Sequence, residues 1–211
     1  MDVRAIRAWV GVHEGIRPTV GAALVAVASI LCAGSALDSF LIVEFAQAVP
    51  ITLLLPLAAA LLIGVSASNA STDFASAAPR RLRWWRATWV VGLSLLYTLA
   101  ANASCLVGEC QGAVVTRNVV LFAALAVLGV TAFGSTVGWA PLILYAICFL
   151  FFGQRPYGEQ DPVRSWAMPL AQDFSTAQAG VCLLVAALAV GVYAKWGASN
   201  TDTRLRGIHV E

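Results

Sequence analysis

The chain has 211 residues, of which 60% are hydrophobic and 11% are charged, and its formal net charge is +2. Soluble globular domains carry about 25% charged residues, so this composition excludes an ordinary soluble protein, and we expect no nucleic-acid partner. The mean hydropathy of +0.81 indicates a membrane protein instead.

Apolar runs recur along the chain, each close to the ~20 residues with which a helix crosses a bilayer. They cover residues 19–37, 46–66, 87–104, 118–133, 138–153 and 177–196. A backbone within a bilayer must satisfy its own hydrogen bonds, so these runs predict helices. The alternating segments of an outer-membrane barrel are absent. We therefore predict an all-α integral membrane protein with six transmembrane helices in one membrane domain, residues 18–196.

Residues 1–17 precede the first span and contain "VRAIRAWVGVHEGIR". Val3, Ile6, Trp9 and Val10 fall near one helical face, which predicts a helix lying in the cytoplasmic interface and ended by Pro18. A frayed basic tail is the alternative. A cleaved secretory signal is less favoured, because the leader is long and acidic residues occur in it.

Glu44 and Gln47 stand at positions i and i+3 just before the second span. An acidic residue inside a membrane is a candidate polar site for a proton or a substrate. The alternative, which we favour, is that "DSFLIVEFAQAV" forms a short helix at the outer interface with its carboxylate in water.

The segment "STDFASAAPRRLRWWRATW", residues 71–89, follows the second span and runs into the third, and most of it belongs to a cytoplasmic loop that we place at residues 67–86. Its first half offers helix-capping residues and a short helical turn that stops at Pro79. That turn comprises Thr72, Asp73, Phe74, Ala75, Ser76, Ala77 and Ala78.

The second half of the segment is basic and aromatic, as is typical of anchors at a membrane surface. The predicted anchors are Arg80, Arg81, Arg83, Trp84, Trp85 and Arg86. A loop that only sets orientation explains these anchors, but it does not explain the helical turn before Pro79. A small helix that projects from a cytoplasmic loop is a surface that another protein could bind.

Cys105 and Cys110 bracket "LVGE" between the third and fourth spans. Two thiols at this spacing can close a small disulfide on an oxidising side of the membrane, although two free thiols are the alternative. Cys32, Cys148 and Cys182 lie in apolar runs and are interpreted as packing residues.

The later part of the chain contains one short connection and one long one. "GSTVG" predicts a tight turn between the fourth and fifth spans. Residues 154–176 form the longest outer loop, in which "VRSWAMPLAQDF" fits a lid or half-inserted helix as well as a plain loop.

Basic residues favour one orientation of the spans. Of the thirteen, ten lie at the two termini or at 80–86, and only Arg117, Arg155 and Arg164 lie on the other side of the predicted spans. The positive-inside bias therefore places both termini, including the tail 197–211, in the cytoplasm.

Motifs of autonomous enzymes are missing. The only histidines are His13 and His209, and no H-E-x-x-H, phosphate-binding loop or G-x-S-x-G elbow occurs. We therefore expect no enzyme, no bound metal and no directly bound cofactor.

The layout as a whole resembles the permease subunit of a type-2 ABC exporter, in a small form like those of actinobacteria. The matching features are an interfacial N-terminal helix, six spans, a helical cytoplasmic loop after the second span and an outer insertion before the sixth. The resemblance implies an elbow helix at Val3–Ile16, a coupling helix at Thr72–Ala78 and an outer re-entrant region at 163–174.

The resemblance also implies partners: a separate ATPase subunit that binds ATP and magnesium, a second permease as homo- or heterodimer, and the lipid bilayer of a bacterial cell membrane. An accessory, sensor or immunity-type membrane subunit is the alternative function. An intramembrane enzyme is less favoured because no catalytic pair is evident.

Overall fold

The computed structural model describes residues 16–40, 43–68, 79–108, 111–154 and 163–198. Within these ranges, the side chains of residues 16, 38–40, 43–47 and 79–83 are not described.

The described residues form six α-helices and one two-stranded sheet. The helices are α1 (Ile16–Leu31), α2 (Leu55–Ser68), α3 (Pro79–Ala101), α4 (Gly112–Val137), α5 (Ala140–Phe152) and α6 (Thr176–Trp196). The strands β1 (Ala36–Phe40) and β2 (Val43–Pro50) pair antiparallel, and 3-10 turns occupy Ile51–Leu53, Asn102–Val107 and Met168–Leu170. We call the end of the bundle that carries the sheet the hairpin end, and the opposite end the far end.

Four helices are long and apolar enough to cross a membrane, judged by length and composition. With adjoining turns they cover Ile51–Ser68, Trp84–Val107, Gly112–Val137 and Thr176–Trp196. The apolar helices α1 and α5 have only 16 and 13 residues, and at about 1.5 Å per residue both are shorter than a ~30 Å hydrocarbon core. The chain is thus mostly helical, and four of its apolar helices have spanning length.

Helix limits differ from the predicted spans in three places. α1 stops at Leu31, before the turn in which Gly34 has φ of 74°. α3 begins at Pro79, so "RRLRWWR" belongs to this helix and not to the cytoplasmic loop that we placed at 67–86. Proline suits a first helical position, where no intrahelical N–H donor is needed. α4 is longer than the predicted run 118–133 at both ends.

Residues 36–40 and 43–50 form the two paired strands, which we call the hairpin, and not the short interfacial helix that we predicted. The register pairs Ala36 with Pro50 and Phe40 with Val43. Valine and phenylalanine are enriched in strands, and the second apolar helix consequently begins after Pro50 rather than at residue 46. The all-α class is wrong at this hairpin.

α4 lies at the centre of the bundle, in contact with α2, α3, α5 and α6. One buried core joins α1, α2, α3, α4 and α6 and contains Tyr97 and Tyr193. A second joins α2, α4 and α5 to the hairpin and to residues 167–170, and there the rings of Phe122 and Phe149 stack with centroids 5.8 Å apart. The outer faces of α1 and α6 expose large apolar side chains, as a helix facing lipid or a partner protein does.

The turn between α4 and α5 depends on glycine. Within the bounds of α4, Gly134 breaks the helix with a non-helical φ of 80° and ψ of −172°, a conformation open mainly to glycine. A Cβ on Gly129 would lie 2.0 Å from the carbonyl oxygen of Gly138. The tight turn that we predicted from "GSTVG" is confirmed.

Candidate functional site

The predicted coupling residues 72–78 lie outside the described residues, as do residues 1–15 of the predicted elbow helix and residues 199–211 of the tail. α1 includes Pro18 in its first turn, so this proline lies near the start of a helix rather than at the end of one. The coupling and elbow roles stay predictions.

The predicted membrane anchors lie in the first turns of α3. Arg80, Arg81 and Arg83 belong to the helix, although their side chains are outside the described set. Trp84 is 78% exposed and Trp85 is half-buried. An exposed tryptophan at the start of an apolar helix suits an interfacial anchor, which stays a prediction.

Arg86 makes a different contact, at the far end of the bundle. A Cβ on Gly197 would lie 2.6 Å from Arg86 Cζ, so the guanidinium packs on the backbone that follows α6. A positive charge is favourable at a helix C-terminus. Tyr193 on α6 also donates a hydrogen bond to the carbonyl oxygen of Ala67 at 2.8 Å. These contacts join the end of α6 to α3 and to α2.

Glu44 and Gln47 lie on β2, and their side chains are outside the described set. The i, i+3 spacing by which we paired them applies to a helix and does not carry over to a strand. The structure therefore removes the geometric reason for a polar site at these two residues.

Cys105 is disulfide-bonded, whereas Cys32, Cys148 and Cys182 are free. The partner that we predicted, Cys110, lies outside the described residues. The pairing of Cys105 with Cys110 stays a prediction.

The most extensive polar cluster of the described residues centres on Arg117 and Asn118, near the start of α4. Both are buried, with 3% and 0% of their surfaces exposed. Arg117 donates to Asn118 Oδ1 from Nε at 3.2 Å and from Nη2 at 3.1 Å. Asn118 Nδ2 in turn donates to the carbonyl oxygens of Pro169 at 3.0 Å and Leu53 at 3.3 Å.

The remaining bonds of Arg117 hold the segment that leads into α6, residues 163–175. Nη2 donates to the carbonyl oxygens of Met168 at 2.6 Å and Ala171 at 2.9 Å. Nη1 donates to the carbonyl oxygen of Asp173 at 3.2 Å and to Gln178 Oε1 on α6 at 2.7 Å. One side chain of α4 therefore fixes this segment and the first turn of α6.

Two other contacts secure the same segment. Tyr145 on α5 donates to the carbonyl oxygen of Trp166 at 2.9 Å, and Gln172 donates to the carbonyl oxygen of Ala48 on β2 at 2.7 Å. Ala167, Pro169 and Leu170 are buried. The segment thus folds inward over the hairpin end, where a lid would lie, and its only described helical turn is Met168–Leu170.

The electrostatics of Arg117 are unusual because its six hydrogen bonds to residues that the structure describes all end on neutral oxygen atoms. Among the described residues, no carboxylate oxygen accepts a hydrogen bond from Arg117; Asp173 contributes only its backbone carbonyl. A buried charge is normally paired with an opposite charge. The guanidinium is therefore saturated with hydrogen bonds while its charge stays uncompensated by these acceptors.

A cavity of about 360 Å³ lies beside Arg117, between α4 and the start of α6. Its lining residues are Gly112, Ala113, Thr116, Arg117, Val120, Phe174, Ala179, Cys182 and Leu183. Most of these side chains are apolar, and Thr116 and Arg117 supply the polar part.

Sequence reasoning missed this cluster. We treated Arg117 as an outer-loop charge just before a span at 118–133, whereas α4 begins at Gly112 and carries Arg117 into the bundle. The available signal was the polar dipeptide Arg117–Asn118 directly ahead of a long apolar run.

No protein-family model matches this chain, and no curated protein or solved structure matches it either.

Proposed function

We propose that this chain is the membrane-spanning permease subunit of an ABC-type exporter in a bacterial cell membrane. It works with a second permease and with a separate ATPase subunit that holds ATP and magnesium, and both of its termini are cytoplasmic. A non-transporting accessory, sensor or immunity-type membrane subunit remains the alternative, which the test below distinguishes.

The observation that carries the proposal is the segment 163–175, folded inward before the last helix. It is held by α4 through Arg117, by α5 through Tyr145 and by β2 through Ala48. We expected an outer re-entrant region at 163–174 from the resemblance to type-2 exporters. A segment bonded to several helices at one end of a bundle can transmit their relative movement.

In the proposed mechanism, nucleotide-driven closure of the ATPases moves the coupling helix Thr72–Ala78. Because Ser68 ends α2 and Pro79 begins α3, movement of the intervening residues would act on both helices. The bundle would then alternate between inward-open and outward-open arrangements by repacking of its helices.

The test replaces Phe74 with alanine. If the 72–78 helix seats in an ATPase, an aromatic anchor there fills a pocket of the partner, and truncation of such an anchor costs on the order of 2 kcal/mol, or about thirtyfold in affinity. We expect Phe74→Ala to keep normal membrane levels but to lose most of the ATPase that co-purifies in mild detergent. Substrate-stimulated ATP hydrolysis should fall with it.

Trp84→Ala provides the matched control, since it removes an exposed aromatic residue from the other half of the segment. It should leave ATPase association unchanged. If no ATPase accompanies the wild-type chain, the accessory-subunit function replaces the exporter proposal. Full association of Phe74→Ala would instead reduce the segment to a membrane anchor.

A further inference from the structure

We propose that the cavity beside Arg117 binds a single-chain amphiphile with an anionic head group. The head would lie at Thr116 and Arg117, and the acyl chain would lie along the apolar wall formed by Val120, Phe174 and Leu183. This inference does not rest on the exporter proposal, because it concerns a binding site that any membrane subunit could carry.

Charge is the first argument. The Arg117 guanidinium lines the cavity, Arg117 is 3% exposed, and its hydrogen-bond acceptors among the described residues are all neutral. In a low-dielectric interior, an uncompensated positive charge attracts an anion much more strongly than it does in water. The cavity is the space next to the guanidinium in which an anion can be placed.

A free donor is the second argument. The donor is the hydroxyl group of Thr116. For comparison, Thr131 further along α4 donates its hydroxyl proton to the carbonyl oxygen of Val127 at 2.7 Å. Thr116 Oγ1 instead accepts a bond from Asn102 Nδ2 at 3.1 Å. It donates no hydrogen bond within the part of the chain that the structure describes. Its hydroxyl proton is therefore available to a carboxylate or phosphate oxygen in the cavity.

The volume of the cavity and its opening indicate the apolar part of the ligand. The cavity volume of about 360 Å³ is at the low end of the ~300–1,000 Å³ range of ligand sites, which favours one acyl chain over two. Phe174 is 51% and Leu183 62% exposed, so this wall opens onto the apolar outer face of α6. A ligand can thus enter sideways from a lipid or detergent phase.

Binding of radiolabelled palmitate to the purified full-length chain in dodecyl maltoside tests the proposal. Unlabelled palmitate and palmitoyl lyso-phosphatidylglycerol serve as anionic competitors, and hexadecanol serves as the neutral competitor with the same chain. We expect at least one anionic competitor to be about tenfold more effective than hexadecanol. If palmitate competes more strongly, the site prefers a carboxylate head group. If the lyso-phospholipid competes more strongly, the site prefers a phosphate head group.

Two variants address the site itself. Thr116→Val removes the free donor, and Leu183→Trp fills the cavity from its exposed rim. Each should weaken palmitate binding by at least about tenfold. The matched controls are Thr131→Val on α4 and Leu184→Trp, which changes a 73% exposed residue that does not line the cavity. Both controls should bind as the wild type does.

Equal competition by hexadecanol would overturn the proposal, because the head group would then make no contribution. Wild-type affinity in Leu183→Trp would overturn it as well, since the ligand would then lie elsewhere. If Thr116→Val fails to fold, comparison of palmitate binding by Leu183→Trp and Leu184→Trp still shows whether the ligand occupies the cavity.

Discussion

Arg117 brings a positive charge into the interior of the bundle, and neutral oxygen atoms from three parts of the chain accept its hydrogen bonds. Three of these acceptors are the carbonyl oxygens of Met168, Ala171 and Asp173, which lie in the turn Met168–Leu170 or just after it. A short irregular segment has unpaired carbonyl groups, and burying them without donors is costly. Arg117 supplies several donors from one side chain. It therefore stabilises this segment and also lines the cavity.

At this scale we predict that Arg117→Met destabilises the chain. Methionine keeps much of the side-chain length but leaves the acceptors around residue 117 unpaired, at about 1–3 kcal/mol for each group that stays buried. We expect a loss of at least ~2 kcal/mol in the free energy of unfolding, measured by denaturant titration in detergent micelles. Arg164→Met, which changes an exposed arginine of the same segment, should stay within about 0.5 kcal/mol of wild type. Equal effects of the two changes would contradict the structural role.

Helices α1 and α3 form a pair whose contact contains several polar groups. Ser29, fully buried, donates to the carbonyl oxygen of Ala101 at 2.7 Å and accepts from the Ser104 amide at 3.1 Å. Tyr97 donates to the carbonyl oxygen of Pro18 at 3.1 Å. Groups at helix ends lack intrahelical partners, and Ser29 supplies partners at the end of α3. Such bonds attach the short helix α1 to a helix of spanning length.

Gly21 allows α1 to pack closely against α3, and this close contact leads to a prediction for α1. A Cβ on Gly21 would lie 2.5 Å from Tyr97 Oη and 3.1 Å from Leu62 Cδ1. Because Tyr97 is fully buried, its hydroxyl cannot move aside easily. We expect Gly21→Ala to lower the free energy of unfolding by about 1–3 kcal/mol, as overpacking does. Chemical denaturation in micelles measures the change.

The control for this prediction is a double-mutant cycle. Removing the hydroxyl with Tyr97→Phe should reduce the cost of Gly21→Ala, because the nearest atom is gone. Gly92→Ala on α3, where nothing lies within 4 Å of the new Cβ, should be neutral or stabilising by up to ~1 kcal/mol. Additive effects of the changes at 21 and 97 would show that the contact is not the cause.

For the whole molecule, the alternating course of the helices places the hairpin, Cys105 and segment 163–175 at one end of the bundle. The ends of α2 and α6 meet at the other, where Tyr193 contacts Ala67. The distribution of arginines predicts that the far end faces the cytoplasm. This orientation underlies both the coupling proposal and the disulfide prediction, since a disulfide persists on an oxidising side.

Thiol labelling in intact cells checks the orientation. In a background in which Cys32, Cys148 and Cys182 are replaced by alanine, a cysteine at Ala77 should react with a membrane-impermeant maleimide only after lysis. A cysteine at Gln160 should react in intact cells. Both positions lie outside the described residues, so exposure there is expected only from the charge distribution. The reverse labelling pattern would invert the topology and remove the basis of the coupling proposal.

Local features of the sequence were sufficient to locate the cores of three long helices. α4 and α6 each contain a predicted apolar run, and α3 covers all but the last three residues of the run 87–104, because hydrophobicity over about 20 residues is a local property that does not depend on partners. The tight α4–α5 turn was likewise predictable, since glycines specify it within a few residues. Helix ends were less predictable, as the start of α3 at Pro79 shows, because polar residues in a first turn resemble a loop.

The sequence by itself determined that this chain is apolar and mostly helical, because composition and run length report directly on the solvent that a segment prefers. Only the tertiary structure decided the role of residues 36–40 and 43–50, of Arg117 and of segment 163–175. The hairpin depends on pairing between two strands, and Arg117 finds acceptors at Met168, Ala171 and Asp173, far along the chain. A single sequence does not specify which distant carbonyl groups lie near a given donor; the packing of α4 against α6 and the preceding segment does.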